Sequence, residues 1–263
     1  MINPSLTLFN DFTNELASCN HYLSEDGLRY LFFDCMRRQD PNLNHYILEL
    51  PFGQMTPSTS TIIPGANLSP LKKIKGLYRQ ELDLLYGDGN NEILCLEFKY
   101  HRRPSNSKTA FDHTNAAGSL FNDLLRLQLI NAVHLGIRVR RLLIYVTDQV
   151  MDSYLSGSGD SFRNMLSCFY SLPQNKAKCI VFNNPRATFK ESAFKSFSNA
   201  LSSFCLPVKK LYNKDFSTHI PLSTQHHIRV YEIIDIHHEE IFDFAVCSPC
   251  ATPYLGICRS YRD

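Results

Sequence analysis

Residues 78–100 read YRQELDLLYGDGNNEILCLEFKY, and this stretch limits the fold more than any other. Two apolar runs flank GDGNN: Leu82, Leu84 and Leu85 before it, and Ile93, Leu94, Cys95 and Leu96 after it. Glycine, asparagine and aspartate clustered between apolar runs mark a hairpin turn. Apolar runs without alternation belong to strands covered on both faces. The segment therefore predicts an antiparallel hairpin buried inside a domain.

Its charges fall in a telling pattern. Side chains alternate faces along a strand, so Glu81 and Asp83 share a face, as do Glu97 and Lys99. Charges on a hairpin are ordinarily its solvated side. Here Glu97 and Lys99 close an otherwise apolar strand, where ionised groups are costly unless paired or metal-bound. A register that sets Asp83 opposite Cys95 or Glu97 gathers the acids on one face, and a one-residue slip separates them. Two carboxylates and a lysine suit a hard divalent cation, Mg²⁺ (or Mn²⁺), which takes one or two carboxylates plus water and phosphate oxygens. The expected chemistry is metal-assisted phosphodiester hydrolysis.

Asp83 followed by Glu97-Phe98-Lys99 resembles the signature of the PD-(D/E)xK superfamily of restriction and repair nucleases, an Asp on one strand and (D/E)-x-K on the next. Leu82 stands where that signature has proline. The flanks follow the superfamily's order of helix, strand, strand, strand, helix, strand over roughly residues 20–150. Ser24-Glu25-Asp26 reads as an N-cap with acids in the first turn, leading an amphipathic run through Leu28, Phe32 and Met36. Residues 44–51 read as a strand, 116–134 as a helix and 140–147 as a buried strand.

The resemblance implies an α/β fold with a restriction endonuclease-like core, a central mixed β-sheet flanked by helices, over residues 1–150. Residues 151–263 would be a C-terminal α/β elaboration, extending the sheet or packing on it. It also implies that Asp83 and Glu97 hold the metal, aided by the Leu96 and Phe98 carbonyls, with Glu25 reaching the metal or its waters. Lys99 would steady the attacking hydroxide or the charge on phosphorus. Glu49 is either a third acid near the metal or a strand-end charge, and Glu81 either accepts a water or pairs with Arg79, Lys99 or Arg102. Asp123 and Arg126, three apart on a helix, form a surface ion pair or aim at the site, where Arg126 would meet a phosphate or hold Glu97. Gln128 would do similar work. A homodimer and a role in defence against foreign DNA follow from the resemblance alone.

The net charge of +2 excludes a polycation, but positives cluster beside the hairpin. Lys72, Lys73, Lys75 and Arg79 precede it; Lys99, His101, Arg102, Arg103 and Lys108 follow it; Arg138, Arg140 and Arg141 form a third group. Such groups are solvated loops or phosphate contacts, which set affinity without reading sequence. The expected partner is nucleic acid, DNA by resemblance. Residues 52–70, rich in Pro, Ser, Thr and Gly, form a long loop suited to clamp a substrate.

With 44% hydrophobic residues the chain can bury a sizeable core, yet no apolar run reaches membrane-helix length. The first residues lack a basic region followed by an apolar stretch, so no secretory signal is expected. Nine scattered cysteines suit a reducing, cytoplasmic setting better than a disulfide framework. Cys247 and Cys250, with Cys258 and His237-His238 nearby, have zinc-ligand chemistry at a spacing that matches no standard zinc pattern, and incidental thiols are the competing reading. In the second half, 148–172 reads as helix interrupted by SGSG, 178–182 as a strand, 189–204 as a helix, and 208–211 and 228–236 as strands. Three functions remain open: a metal-dependent nuclease, a nuclease-fold module that binds without cleaving, and a structural protein whose acidic hairpin is only surface.

Overall fold

Glu92–His101 forms a strand whose two faces are both covered, as its apolar run requires. The computed structural model describes residues 5–19, 24–40, 46–51, 81–87, 92–102, 112–130, 138–183, 187–195, 203–218 and 224–234. In chain order the elements are α1 (Leu6–Ser18), α2 (Glu25–Gln39), β1 (Tyr46–Pro51), β2 (Glu81–Gly87), β3 (Glu92–His101), α3 (His113–Leu129), β4 (Arg138–Asp148), α4 (Gln149–Ser156), α5 (Ser161–Tyr170), β5 (Ala177–Asn183), α6 (Ala187–Ala193), β6 (Ser203–Thr218) and β7 (Thr224–Ile233). The strands make one seven-stranded mixed sheet ordered β1-β2-β3-β4-β7-β6-β5. β3 and β4 run parallel, joined across α3, and the other neighbouring pairs are antiparallel. The chain is thus an α/β protein with helices on both faces of a mixed sheet.

On one face, Phe9 and Phe12 of α1 and Phe32 and Met36 of α2 pack on Leu94, Leu96, Phe98, Ile144 and Val230. The Phe32 ring meets Phe98 edge-on at 5.4 Å between centroids. On the other, Phe121 and Leu124 of α3, Leu155 of α4, Phe169 of α5 and Phe189 of α6 cover Ile93, Cys95, Leu143 and Tyr231. Each such side chain, once buried, contributes about 1.5–3 kcal/mol. α2 starts as its sequence predicts: the Ser24 hydroxyl accepts from the Gly27 N–H at 3.0 Å, and Glu25 and Asp26 fill the first turn.

α3 and α6 cross in direct contact at Gly118. A Cβ there would sit 2.6 Å from Ser192 Cβ and 2.7 Å from the Phe189 carbonyl oxygen, so only glycine lets α6 lie against α3. This contact fixes α6 beside the charged end of β3.

The second half shares the sheet of the first, because β7 inserts between β4 and β6. Arg229 of β7 pins α4 through Asp152 at 3.1 Å, and His227 reaches Asp215 of β6 at 2.7 Å. Two expectations fail here. The helix expected over 189–204 stops at Ala193, and Phe204 belongs to β6. Cys168 and Cys179 are each disulfide-bonded, against the expectation of reduced thiols, while Cys19, Cys35 and Cys95 are free. Among the described residues no helix is long and apolar enough to cross a membrane.

Candidate active site

The backbone ladder between β2 and β3 runs from Gly87↔Ile93 to Leu84↔Leu96 and stops. Asp83 and Glu97 lie one residue beyond the last pair, Leu84↔Leu96. There the Asp83 carboxylate takes over from the backbone: Oδ2 accepts the Phe98 N–H at 2.6 Å. The strands therefore part at their charged ends, and side chains from both helical layers enter the gap. α2 sends Glu25 and Arg29; α3 sends Asp123 and Arg126.

These charges alternate in two chains. Arg29 of α2 contacts Asp83 Oδ1 at 3.1 Å, Glu49 Oε1 at 2.6 Å and Asp26 at 3.1 Å. Arg126 Nη2 donates to Glu97 Oε1 at 2.8 Å and lies 3.0 Å from Asp123 Oδ1. Asp123 Oδ2 lies 3.0 Å from Lys99 Nζ, and Lys99 is 3.7 Å from Glu25 Oε2. Glu25 Oε2 also accepts the Tyr100 N–H at 3.2 Å. Asp83, Glu97, Asp123 and Arg126 are all buried. Of these charged side chains, Glu25, Asp83, Glu97, Lys99, Asp123 and Arg126 border a cavity of about 550 Å³, which Asn115, Ser119 and Asn122 of α3 and Glu191, Ser192 and Lys195 at α6 also line.

Burial sets the titration of the group. It raises Asp83 above the ordinary carboxylate range, even against the Phe98 N–H and Arg29. It raises Glu97 well above that range despite Arg126. Glu25 is raised by burial too, with Lys99 and the Tyr100 N–H pulling it down. Burial works to lower Lys99, but Asp123 and Glu25 outweigh it, so the ammonium is held more firmly than usual. Lys99 is therefore a fixed cation rather than a base.

The structure brings Asp83, Glu97, Lys99, Glu25, Asp123 and Arg126 together and sets Glu81 exposed at the cavity wall. The Asp123–Arg126 pair is buried, so its reading as a surface ion pair is overturned. Among the described residues Glu49 does not line the cavity; it is exposed, at φ 53° in β1, and reaches the site through Arg29. Gln128 is not on the wall either, since two residues beyond Arg126 is roughly 200° around the helix. His101 is wrongly placed among phosphate-binding residues. It is buried, with Nδ1 3.1 Å from the Tyr145 hydroxyl and Nε2 3.1 Å from the Ser119 hydroxyl. Arg102 is half-buried and hydrogen-bonds Tyr100, whose hydroxyl burial nonetheless pushes up to about 12. Lys72, Lys73, Lys75, Arg103, the 52–70 loop and the proposed zinc residues Cys247, Cys250, Cys258, His237 and His238 lie outside the described residues.

Burial and the nearby Lys99 hold His101 down to about 3. The neutral ring thus supports the fold fully above its ordinary value of 6.5, and that support is lost as pH falls towards 3. The raised carboxyls of Asp83 and Glu97 act oppositely and favour the fold in acid. Comparing wild type with His101→Gln separates the two. The wild type is expected to lose ground to the variant below pH ~6.5, by up to about 1.4 kcal/mol per pH unit in urea unfolding. A gap that stays constant between about pH 7 and 4 would show that the ring is not held neutral.

Sequence reasoning missed Arg29 and the polar wall. Glu25 and Arg29 are four apart on α2, which puts them on one face, and that signal was present. Asn115, Ser119, Asn122 and Arg126 recur at helical spacing on an amphipathic helix, a second legible stripe. Nothing in the sequence announces that α6 closes the far side. Among the described residues no three His, Cys, Asp or Glu side chains converge as a ready metal cage; the acids are held by Arg29, Arg126 and Lys99 instead. No protein-family model, curated protein or solved structure matches the chain.

Proposed function

We propose that the chain is a Mg²⁺- or Mn²⁺-dependent nuclease of PD-(D/E)xK type that hydrolyses nucleic-acid phosphodiester bonds, DNA by resemblance. The observation that carries this reading is the gathering of Asp83, Glu97 and Lys99 on one cavity wall, in the order the motif demands. The donor set fits the ion. Six carboxyl groups line the cavity against three cationic side chains, a set of hard oxygen donors suited to a divalent metal.

Asp83 and Glu97 would hold the metal, with Glu25 within reach of its waters. Once bound, it would polarise the scissile phosphate and lower the pKa of an attacking water. The protein's own groups supply the rest. Lys99, kept protonated by Asp123 and Glu25, offsets the negative charge that builds on phosphorus as the water attacks. Arg126 favours the ionised form of Glu97 where burial favours protonation. The Phe98 N–H and Arg29 orient the Asp83 carboxylate. Defence against foreign DNA and action as a homodimer belong to the same proposal.

A second reading, a nuclease-fold module that binds without cutting, is favoured by one observation: Arg29 and Arg126 already neutralise Asp83 and Glu97. A cleavage panel decides. Supercoiled plasmid, linear duplex, single-stranded DNA and RNA are incubated with Mg²⁺, Mn²⁺ or EDTA. Metal-dependent cutting by wild type that Asp83→Ala abolishes is the expected result. Folded protein that cuts none of the four would support the binding module, and cutting that survives Asp83→Ala would place the chemistry elsewhere.

A further inference from the structure

The cavity has a second wall that hydrolysis does not use. α6 and the residue turns just beyond it present Glu191, Ser192 and Lys195; α3 presents Asn115, Ser119 and Asn122. The two helices are locked by the Gly118 contact and by the Ser192 hydroxyl, which donates to the Asn115 carbonyl at 2.9 Å. The wall is therefore rigid and sits at a fixed distance from β3. Of the three lysines and arginines lining the cavity, Lys99 and Arg126 are committed to carboxylates. Lys195 is exposed and pairs with no acid among the described residues.

Resting on the nuclease reading, we propose that this wall is a subsite for an unpaired nucleotide next to the scissile phosphate, and that the substrate is single-stranded nucleic acid. Lys195 takes the neighbouring phosphate. The amides of Asn115 and Asn122 address the sugar or the base edge, since amides donate and accept together. Size agrees: about 550 Å³, closed by helices on two sides, accommodates a ligand of nucleotide dimensions. In a duplex the Watson–Crick edges are used up by pairing and the bases stay stacked, so a recessed wall of this size takes a base only when it is unpaired and splayed out. Glu191 shares the wall and repels phosphate, so it limits affinity.

The test is binding in EDTA, where no cleavage occurs, by fluorescence anisotropy with labelled single-stranded DNA, single-stranded RNA and duplex DNA of one sequence. Wild type is expected to bind one of the single strands at least tenfold more tightly than the duplex. Lys195→Glu is expected to weaken that binding fivefold or more and to reduce the salt slope by about 0.7, the contribution of one single-strand phosphate contact. Glu191→Gln is expected to tighten it. Lys190→Glu, the same charge change on α6 but outside the cavity lining, is the control and is expected to leave it unchanged. Equal or tighter duplex binding, no single-strand binding, or a Lys195→Glu affinity equal to wild type each overturns the proposal. Single-strand binding that depends on Lys195 but brings no cleavage with metal would sink the nuclease reading and leave this subsite standing.

Discussion

Lys99→Ala is expected to lower metal-dependent cleavage by about 10²–10³-fold, in turnover rather than in substrate affinity. The geometry isolates this side chain as a source of charge. Its ammonium lies 3.0 Å from Asp123 and 3.7 Å from Glu25 at the mouth of the gap between β2 and β3. Both acids keep another partner when it is removed: Asp123 retains Arg126 at 3.0 Å, and Glu25 retains the Tyr100 N–H at 3.2 Å. Folding should therefore change little, and the loss should appear in the chemical step. Because its neighbours raise the ammonium pKa, wild-type activity should not decline through loss of this proton as pH passes its ordinary 10.5. Cleavage by Lys99→Ala within threefold of wild type would mean that the cation neither meets nor stabilises the reacting phosphate.

Much of this site was legible because two simple rules coincide in the hairpin. Alternation put Glu81 with Asp83 and Glu97 with Lys99, and the apolar runs around them said that these strands were buried. The register that joins them could not be read, because it depends on the Leu84↔Leu96 pairing, which the turn residues alone leave open. The helix before β1 was readable from Ser24 and its acids. α1 was not expected, although Leu8, Phe9, Phe12 and Leu16 fall at helical spacing and bury fully against α2 and the sheet. β6 was read as four residues and runs to sixteen, since its second half pairs only with β7 and carries the polar sequence of an exposed edge. His101 failed for a different reason. Composition put it in a basic cluster, but strand parity turned it inward beside Ser119 and Tyr145, and a run of basic letters says nothing about parity.

Arg126→Met is expected to be the most destabilising single change in the site, by about 3–5 kcal/mol, because it leaves Glu97 and Asp123 buried beside one another without their shared cation. For a chain of this size that is a fall in melting temperature on the order of 10 °C. Distance alone does not give this result. Arg38 and Glu15 approach to 2.6 Å, closer than the 2.8 Å of Arg126 and Glu97, yet their side chains are 52% and 36% exposed against 10% and 2%. Pairs exposed to water contribute about 0–1 kcal/mol, so Arg38→Met should scarcely move the melting curve. The cost at Arg126 is that of a stranded charge, so neutralising the charge should relieve it. Glu97→Gln added to Arg126→Met is expected to recover part of the loss, a coupling of about 0.5–3 kcal/mol in a double-mutant cycle. Mn²⁺ should do the same by another route. If the cavity binds a divalent cation, the ion supplies the positive charge that the arginine gave up, and it should raise the melting temperature of Arg126→Met more than that of wild type. Rescue by Glu97→Gln without rescue by Mn²⁺ would leave the ion-pair network as a structural element and remove the main support for a metal between Asp83 and Glu97.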